Sequence, residues 1–205
     1  MYVRFIKRLL DILISAVSLI VLSPLFVLVA IAIKLDSKGP VIFKQKRYGK
    51  DKVLFDIYKF RTMRTDAPKD VPTNDLRGAK SFITPLGRFL RKTSLDELPQ
   101  LWNILRGDMS LIGPRPALWN QYDLMELRDK YGASSIRPGL SGWAQVNGRD
   151  YLSRDLEKKA RRDAEYAHNI SFAFDLKCFL LTIVKVFNRQ GIVEGAEESK
   201  TEAKK

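Results

Sequence analysis

The chain of 205 residues carries 36 Lys and Arg against 23 Asp and Glu, a formal net charge of +13, with one cysteine and one histidine. That length supports one ordinary domain, and the charge directs it towards anions: nucleic acid, anionic lipid or nucleotide-sugars. The lone Cys178 and lone His168 exclude an internal disulfide and Cys- or His-based metal motifs, and no Walker-type or Gly-x-Gly-x-x-Gly loop occurs, so an enzyme here works with carboxylates, cations and a hard metal.

Ile12 to Ile33 is uncharged and interrupted only by Ser15, Ser18, Ser23 and Pro24. As a straight helix it would reach about 33 Å, enough to cross a hydrocarbon core. Its length, and the absence of a small-residue cleavage site before Lys34, argue against a signal peptide. Arg4, Lys7 and Arg8 precede it, and Lys34, Lys38, Lys44, Lys46 and Arg47 follow it. A straight span cannot keep both basic flanks on one side. Ser23-Pro24 offers a kink, with the serine able to satisfy freed backbone groups, so two short arms can dip into one leaflet and return. Kinked proline helices also span, and the residues alone leave both readings open. Lys7, Arg8 and Asp11, at helical spacing, read either as anchors for lipid headgroups or as topology charge.

Val41–Arg47 and Val53–Phe60 are β-branched and aromatic runs around a Tyr48-Gly49-Lys50-Asp51-Lys52 turn, a hairpin signal. Arg64–Lys80 reads as a loop. Thr84-Pro85 then opens a short helix, cap followed by proline. Leu86, Phe89 and Leu90 form one of its faces and Arg88, Arg91 and Lys92 another, which suits either a membrane surface or a solvated basic face over a core.

In the next stretch Leu98, Leu101, Trp102 and Leu105 fall on one helical face, with Asp96 at the N-cap position, Pro99 in the first turn and Gly107 as a stop. Asp96 and Glu97 would then stand at a helix start, where negative charge is stabilised and phosphate attracted. Asp96 can be a plain cap, with Glu97 near Ser94 as half of a capping box. Two adjacent acids, the flanking Arg91 and Arg115, and the rigid Gly113-Pro114-Arg115-Pro116 turn are more than a cap requires. Ala117–Tyr131 reads as a helix. Ile136–Arg149 is too rich in Gly and Pro for a regular one, and its Arg137, Gln145, Asn147 and Arg149 suit contacts to a nucleotide or sugar, or a buried structural loop. Ser153–His168 is a charged helix with a Leu156, Ala160, Ala164, Ala167 stripe. Ser171–Phe187 is an apolar helix suited to docking on the anchor or the interface, and 191–205 reads as a disordered tail.

Ser94-Leu95-Asp96-Glu97-Leu98-Pro99-Gln100, Gly107-Asp108-Met109-Ser110 and Gly113-Pro114-Arg115-Pro116 resemble the bacterial sugar transferase family, the monotopic phosphoglycosyl transferases that start membrane glycoconjugate synthesis. The resemblance runs from Lys7-Arg8 and Asp11 through Tyr58-Lys59-Phe60-Arg61-Thr62-Met63 to Arg137-Pro138-Gly139 and Gln145-Val146-Asn147-Gly148-Arg149. It implies an α+β, mostly α, monotopic membrane protein: a re-entrant anchor kinked at Ser23-Pro24 over 1–36, then a catalytic domain over 37–190 with interfacial amphipathic helices and a small β-hairpin. It places the chain on the cytoplasmic face of the bacterial inner membrane, against anionic lipid. By resemblance Asp96 is the nucleophile on the β-phosphate of a nucleoside diphosphate sugar, Glu97 its partner, holding Mg²⁺ with it or orienting the acceptor, and Arg91 and Arg115 bind phosphate. Polyprenyl phosphate then takes the phosphosugar from Asp96, and uridine as the base comes from resemblance alone. A homo-oligomer is compatible with this. The alternative is a non-enzymatic, membrane-attached nucleic-acid-binding or scaffold protein. Against it, the aromatics lie mostly in apolar faces rather than among Lys and Arg, so nucleic acid is not an expected partner.

Overall fold

The N-terminal apolar run folds as two helices. In a computed structural model that describes residues 2–71, 76, 78–148 and 155–187, a π-helical turn over Tyr2–Ile6 leads into α1 (Lys7–Val21), and α2 (Ser23–Asp36) follows at a bend of 61°. Pro24 lies in the first turn of α2, where its missing N–H is tolerated, and Ser23 Oγ donates to Ile20 O at 2.8 Å. Among the described residues no single helix is long and apolar enough to cross a membrane, and only this bent pair could by length and composition. Leu13, Val17, Ile20 and Val21 of α1, and Leu28, Ile31 and Leu35 of α2, remain exposed. The inner faces are packed. Val29 and Ile33 join Phe60 and Leu90 in one core cluster, where the Phe26 and Phe60 rings meet at 5.3 Å. Leu19 and Leu22 cover a second cluster of Ile57, Leu101, Ile104 and Met109.

The hairpin forms close to its expected place: β1 (Ile42–Tyr48) pairs antiparallel with β2 (Leu54–Phe60), with Gln45 opposite Ile57 and Arg47 opposite Phe55. Arg61, just past β2, donates to Ser37 O at 2.7 Å and to Lys38 O, which ties the end of α2 to the sheet. In the loop that follows, Lys69 O accepts from the Gln45 amide and Asp70 accepts from Trp119 Nε1 at 3.0 Å. A single helical turn, α3 (Ala79–Phe82), precedes α4 (Pro85–Lys92). Thr84 caps α4 as the Thr-Pro pair predicts, its Oγ1 accepting from Gly87 N at 2.9 Å.

Beyond it lie α5 (Gln100–Arg106), β3 (Ser110–Ile112), α6 (Tyr122–Lys130), β4 (Gly139–Ser141), α7 (Trp143–Val146), α8 (Leu156–His168) and α9 (Phe172–Phe187). Three differences from the sequence reading have clear causes. The helix expected from Ala117 starts only at Tyr122, because Ala117 O and Leu118 are drawn into bridging contact with β1. The Gly- and Pro-rich segment contributes strand β4, which pairs parallel with β3, and the one-turn α7. Trp102, expected on the buried face of α5, is half exposed. Rotation of that helix buries Asn103 instead, whose amide accepts from Tyr58 N at 3.0 Å and donates to Asp56 O at 2.8 Å, pinning α5 along β2. The expected disordered tail over 191–205 lies outside the described residues.

The polar residues at the start of α1 hold the rest of the fold. Arg8 donates to the Ile104 and Leu105 carbonyls at 2.6 and 2.9 Å, satisfying two acceptors at the end of α5. Asp11 is buried and its Oδ1 accepts from Leu111 N at 2.9 Å and Ser110 Oγ at 3.1 Å. Lys7 donates to Ile112 O at 3.0 Å and pairs with Asp175 of α9 at 2.7 Å. Tyr2 and Tyr166 donate to the same Asp175 carboxylate. The structure thus gives Lys7, Arg8 and Asp11 protein partners, where the sequence left lipid headgroups and topology charge open. It also docks α9 on the start of the anchor, while Phe172, Leu176, Phe179, Leu180, Ile183 and Val184 face outward.

Candidate active site

Asp96 and Glu97 do not start the α-helix. After α4, Ser94 turns the chain in the left-handed region at φ 57°, and Leu95–Glu97 forms a 3₁₀ turn; Pro99 occupies the N-cap position of α5. The cause is packing. Leu95 and Leu98 both contact the cluster of Val29, Ile33, Phe60 and Leu90, and two residues three apart eclipse in a 3₁₀ turn rather than in an α-helix. Asp96 is therefore no N-cap, and α5, with 7 residues, supplies no helix-end explanation for the two acids. Both are nevertheless buried, at 8% and 9% exposure. Buried carboxylates need compensating cations or hydrogen bonds.

Two such cations meet on Glu97, and a third stands on α4. Lys59 Nζ, from the end of β2, lies 2.8 Å from Glu97 Oε1, and Arg115 Nη2 lies 3.1 Å from the same oxygen. Burial pushes the Lys59 amine below its ordinary pKa, and the negative charge of Glu97 opposes that. Arg91, in the last turn of α4, donates from Nε to Thr62 Oγ1 at 2.8 Å. The four residues predicted as catalytic and phosphate-binding thus come from α4, the 3₁₀ turn and the segment after β3, with Glu97 and Arg115 in direct contact.

Arg115 is placed by backbone. β3 runs straight into Gly113-Pro114-Arg115, and Gly113 is pressed between two other glycines. A Cβ on Gly139 would lie 2.1 Å from Gly113 N, and one on Gly142 would lie 2.0 Å from Gly113 O, so neither position accepts a side chain. Behind the turn, Arg128 Nη2 donates to Arg115 O at 2.9 Å and pairs with the buried Asp163 at 2.7 Å. Arg47 Nη1 donates to Pro116 O at 3.0 Å, while its other nitrogens hold Gln45 Oε1.

Arg137, Gln145 and Asn147 make local backbone contacts: Arg137 Nε to Gly107 O at 2.9 Å, Gln145 Nε2 to Leu140 O at 3.2 Å and Asn147 Nδ2 to Trp143 O at 2.8 Å. Arg149 lies outside the described residues. Lys59 is the cation that sequence reasoning missed as a site residue. Its signal was its phase: it follows Phe55 and Ile57 on the packed face of β2, an inward lysine on an otherwise apolar row. Arg47, counted at first only as a flanking charge, stands on that same hairpin face through the strand register.

Among the described residues no group of three or more His, Cys, Asp or Glu converges as a metal cage. Two adjacent carboxylates beside arginines suit a Mg²⁺ ion that takes its other ligands from water and phosphate oxygens. In such an arrangement Asp96 and Glu97 would hold the ion, with Glu97 Oε1 already shared between Lys59 and Arg115.

The family model described as bacterial sugar transferase matches residues 2–189. The chain is 41% identical over 194 residues to the UDP-glucose:undecaprenyl-phosphate glucose-1-phosphate transferase of Escherichia coli (strain K12), covering 90% of this chain and 40% of that protein. It is 40% identical over 187 residues to the UDP-N-acetylgalactosamine-undecaprenyl-phosphate N-acetylgalactosaminephosphotransferase of Aeromonas hydrophila, covering 87% of this chain and 43% of that protein. To the uncharacterized sugar transferase EpsL of Bacillus subtilis (strain 168) it is 41% identical over 190 residues, 91% of this chain and 90% of that protein. The chain spans about two fifths of the length of the first two of these relatives and nearly all of EpsL. With the paired carboxylates, the Gly113–Pro116 turn and the bent α1–α2 pair inside the matched region, the chain belongs to the bacterial sugar transferase family.

Proposed function

We propose that this chain transfers a sugar-1-phosphate from a nucleoside diphosphate sugar, with uridine as the base, to polyprenyl phosphate at the cytoplasmic face of the bacterial inner membrane. The product is a polyprenyl diphosphate sugar, the first membrane-bound intermediate of a polysaccharide or other glycan. The observation that carries this reading is the buried Asp96-Glu97 pair with Lys59 and Arg115 on Glu97, on a body whose exposed apolar surface is concentrated in the α1–α2 pair and α9. Water penalises such a surface and a bilayer does not. The bend of 61° supports a re-entrant anchor with both basic ends on one side.

In the proposed reaction an Asp96 carboxylate oxygen attacks the sugar-bearing β-phosphorus of the donor. The bond from that phosphorus to the bridging oxygen breaks, and its electron pair leaves with the nucleoside monophosphate. A phosphate oxygen of the lipid acceptor then attacks the same phosphorus, the Asp96–phosphorus bond breaks, and the carboxylate is regenerated. A carboxylate is a competent covalent nucleophile once the negative charge of the diphosphate is offset. Arg91 and Arg115 offset it and orient the phosphates, while Lys59 holds Glu97 in place. Mg²⁺, where bound, adds charge neutralisation at the diphosphate.

The test is a single-turnover experiment without acceptor. The chain should release one equivalent of nucleoside monophosphate and gain the phosphosugar mass on Asp96. Polyprenyl phosphate should remove that mass. Asp96→Asn, nearly isosteric, should stay folded and show neither event. Turnover by Asp96→Asn, or a requirement for both substrates before any nucleotide appears, overturns the covalent route.

A further inference from the structure

Positive charge around the site exceeds what Glu97 and Asp96 balance. Arg47, Lys59, Arg115, Arg128 and Lys159 form one connected field, in which Arg47 senses Arg115 and Glu97, and Lys159 senses Arg128, Asp163, Arg115 and Arg47. Three carboxylates face these five cations among the described residues: Asp96, Glu97 and Asp163. Their partners divide unevenly. Glu97 contacts Lys59 and Arg115, and Asp163 is held by Arg128 at 2.9 and 2.7 Å. Among the described residues the Arg47 side chain donates to the neutral oxygens of Gln45 and Pro116, and the Lys159 amine makes no hydrogen bond or ion pair. Burial lowers the pKa of both. Two desolvated cations without carboxylate partners are unfavourable by themselves, and an anion supplied from outside relieves them.

We infer that Arg47 and Lys159, together with Arg115, form a second anion subsite for a phosphate monoester: the phosphoryl group that stays with the nucleoside when the donor is cleaved beside Asp96. The assignment rests on the donor proposed above. Its position separates it from the lipid. Pro116, Ala117 and Leu118 bind the end of β1 from one side, and Ala160, next to Lys159, packs on Ala117, Leu124 and Met125. Neither the anchor helices nor α9 contribute to that cluster, whereas α1 and α2 line the two clusters around β2 and α5. A subsite walled by α6, α8 and β1 is suited to a water-soluble nucleotide phosphate rather than to a lipid headgroup.

The experiment titrates the full chain in detergent micelles with UMP and, in parallel, with inorganic pyrophosphate, which carries no base. Arg47→Gln and Lys159→Gln should each weaken both by about tenfold or more, as loss of a charge-assisted contact does, and Lys159→Arg should restore most of the binding. The Lys159 amine holds no other part of the described fold, so its variant carries the test if Arg47→Gln does not fold. Wild-type affinity for both probes in Lys159→Gln overturns the subsite. A raised KM for polyprenyl phosphate with unchanged UMP binding overturns it in favour of the lipid phosphate. Weakened pyrophosphate binding in a chain that turns over no nucleoside diphosphate sugar keeps the subsite and discards the transferase. Unchanged pyrophosphate binding in a chain that does turn over the donor discards the subsite alone.

Discussion

Lys159 is lowered to about 8 from an ordinary value of 10.5, first by burial and then by Arg128, with Arg115 and Arg47 adding and Asp163 opposing. A lysine lowered in the folded state destabilises it wherever both states would be protonated, here below about pH 8. Between that value and 10.5 the folded chain has lost the proton that the unfolded chain keeps, and the penalty fades. Lys159→Met, which keeps the aliphatic stem, should therefore melt at a higher temperature than wild type at pH 7, with the gap closing between about pH 8 and 10.5. Thermal denaturation across that range checks it, and a lower melting temperature at pH 7 contradicts the reading. The sequence could not show this residue. Four residues separate Lys159 from Asp163, a spacing that reads as an ordinary solvated pair until α6 places Arg128 on the same carboxylate. Asp96 was legible for the opposite reason: its neighbours Glu97, Arg91 and Arg115 are unusual company in sequence as well as in space. Its capping role was misread because the 3₁₀ geometry comes from distant contacts of Leu95 and Leu98.

At the scale of elements, local signals carried well and pairings did not. Ser23-Pro24 marked the break between α1 and α2, the Tyr48–Lys52 turn marked the hairpin, and Thr84-Pro85 marked the start of α4; each is written in adjacent residues. The β3–β4 pair was invisible because each strand has 3 residues and its partner lies far along the chain. What fixes β3 on its other side is α1. Leu111 N and Ser110 Oγ both converge on Asp11 Oδ1. Asp11→Ala leaves a backbone donor unmet and should cost about 1–3 kcal/mol of stability together with much of the turnover, since β3 delivers Arg115. Asp11→Asn keeps the accepting oxygen and should retain most of both. Denaturant unfolding and turnover of the two variants, side by side, decide it: an equal loss in Asp11→Asn shows that the charge beside Lys7 matters more than the bonds.

For the whole molecule, the proposed re-entrant topology turns on the bend between α1 and α2. If the α1–α2 pair enters and leaves one leaflet, tags placed at Met1 and after residue 187 are both cytoplasmic. Ser23→Ala with Pro24→Leu removes the local cause of the bend. That pair of changes should straighten the run and move Met1 to the opposite side, read by protease protection or cysteine labelling in vesicles. The packed inner faces resist straightening, because Val29 and Ile33 would leave Phe60 and Leu90, so the variant should also lose stability. A wild-type Met1 on the outer side rejects the re-entrant reading.

Arg8 closing the end of α5, and Asp11 and Lys7 holding β3, mean that the first turns of α1 work as part of the scaffold around Asp96 and Glu97. Portability is limited accordingly. A truncation that begins at residue 37 in search of a soluble enzyme strips the α5 carbonyls, the Leu111 amide and the Ser110 hydroxyl of their partners at the same time. A chimera that borrows a foreign membrane segment has to carry Lys7, Arg8 and Asp11 with the recipient. The seam for engineering therefore lies within α1, past Asp11 and the buried Ser15, where Val17, Ile20 and Val21 face outward while Leu19 keeps its place on the core.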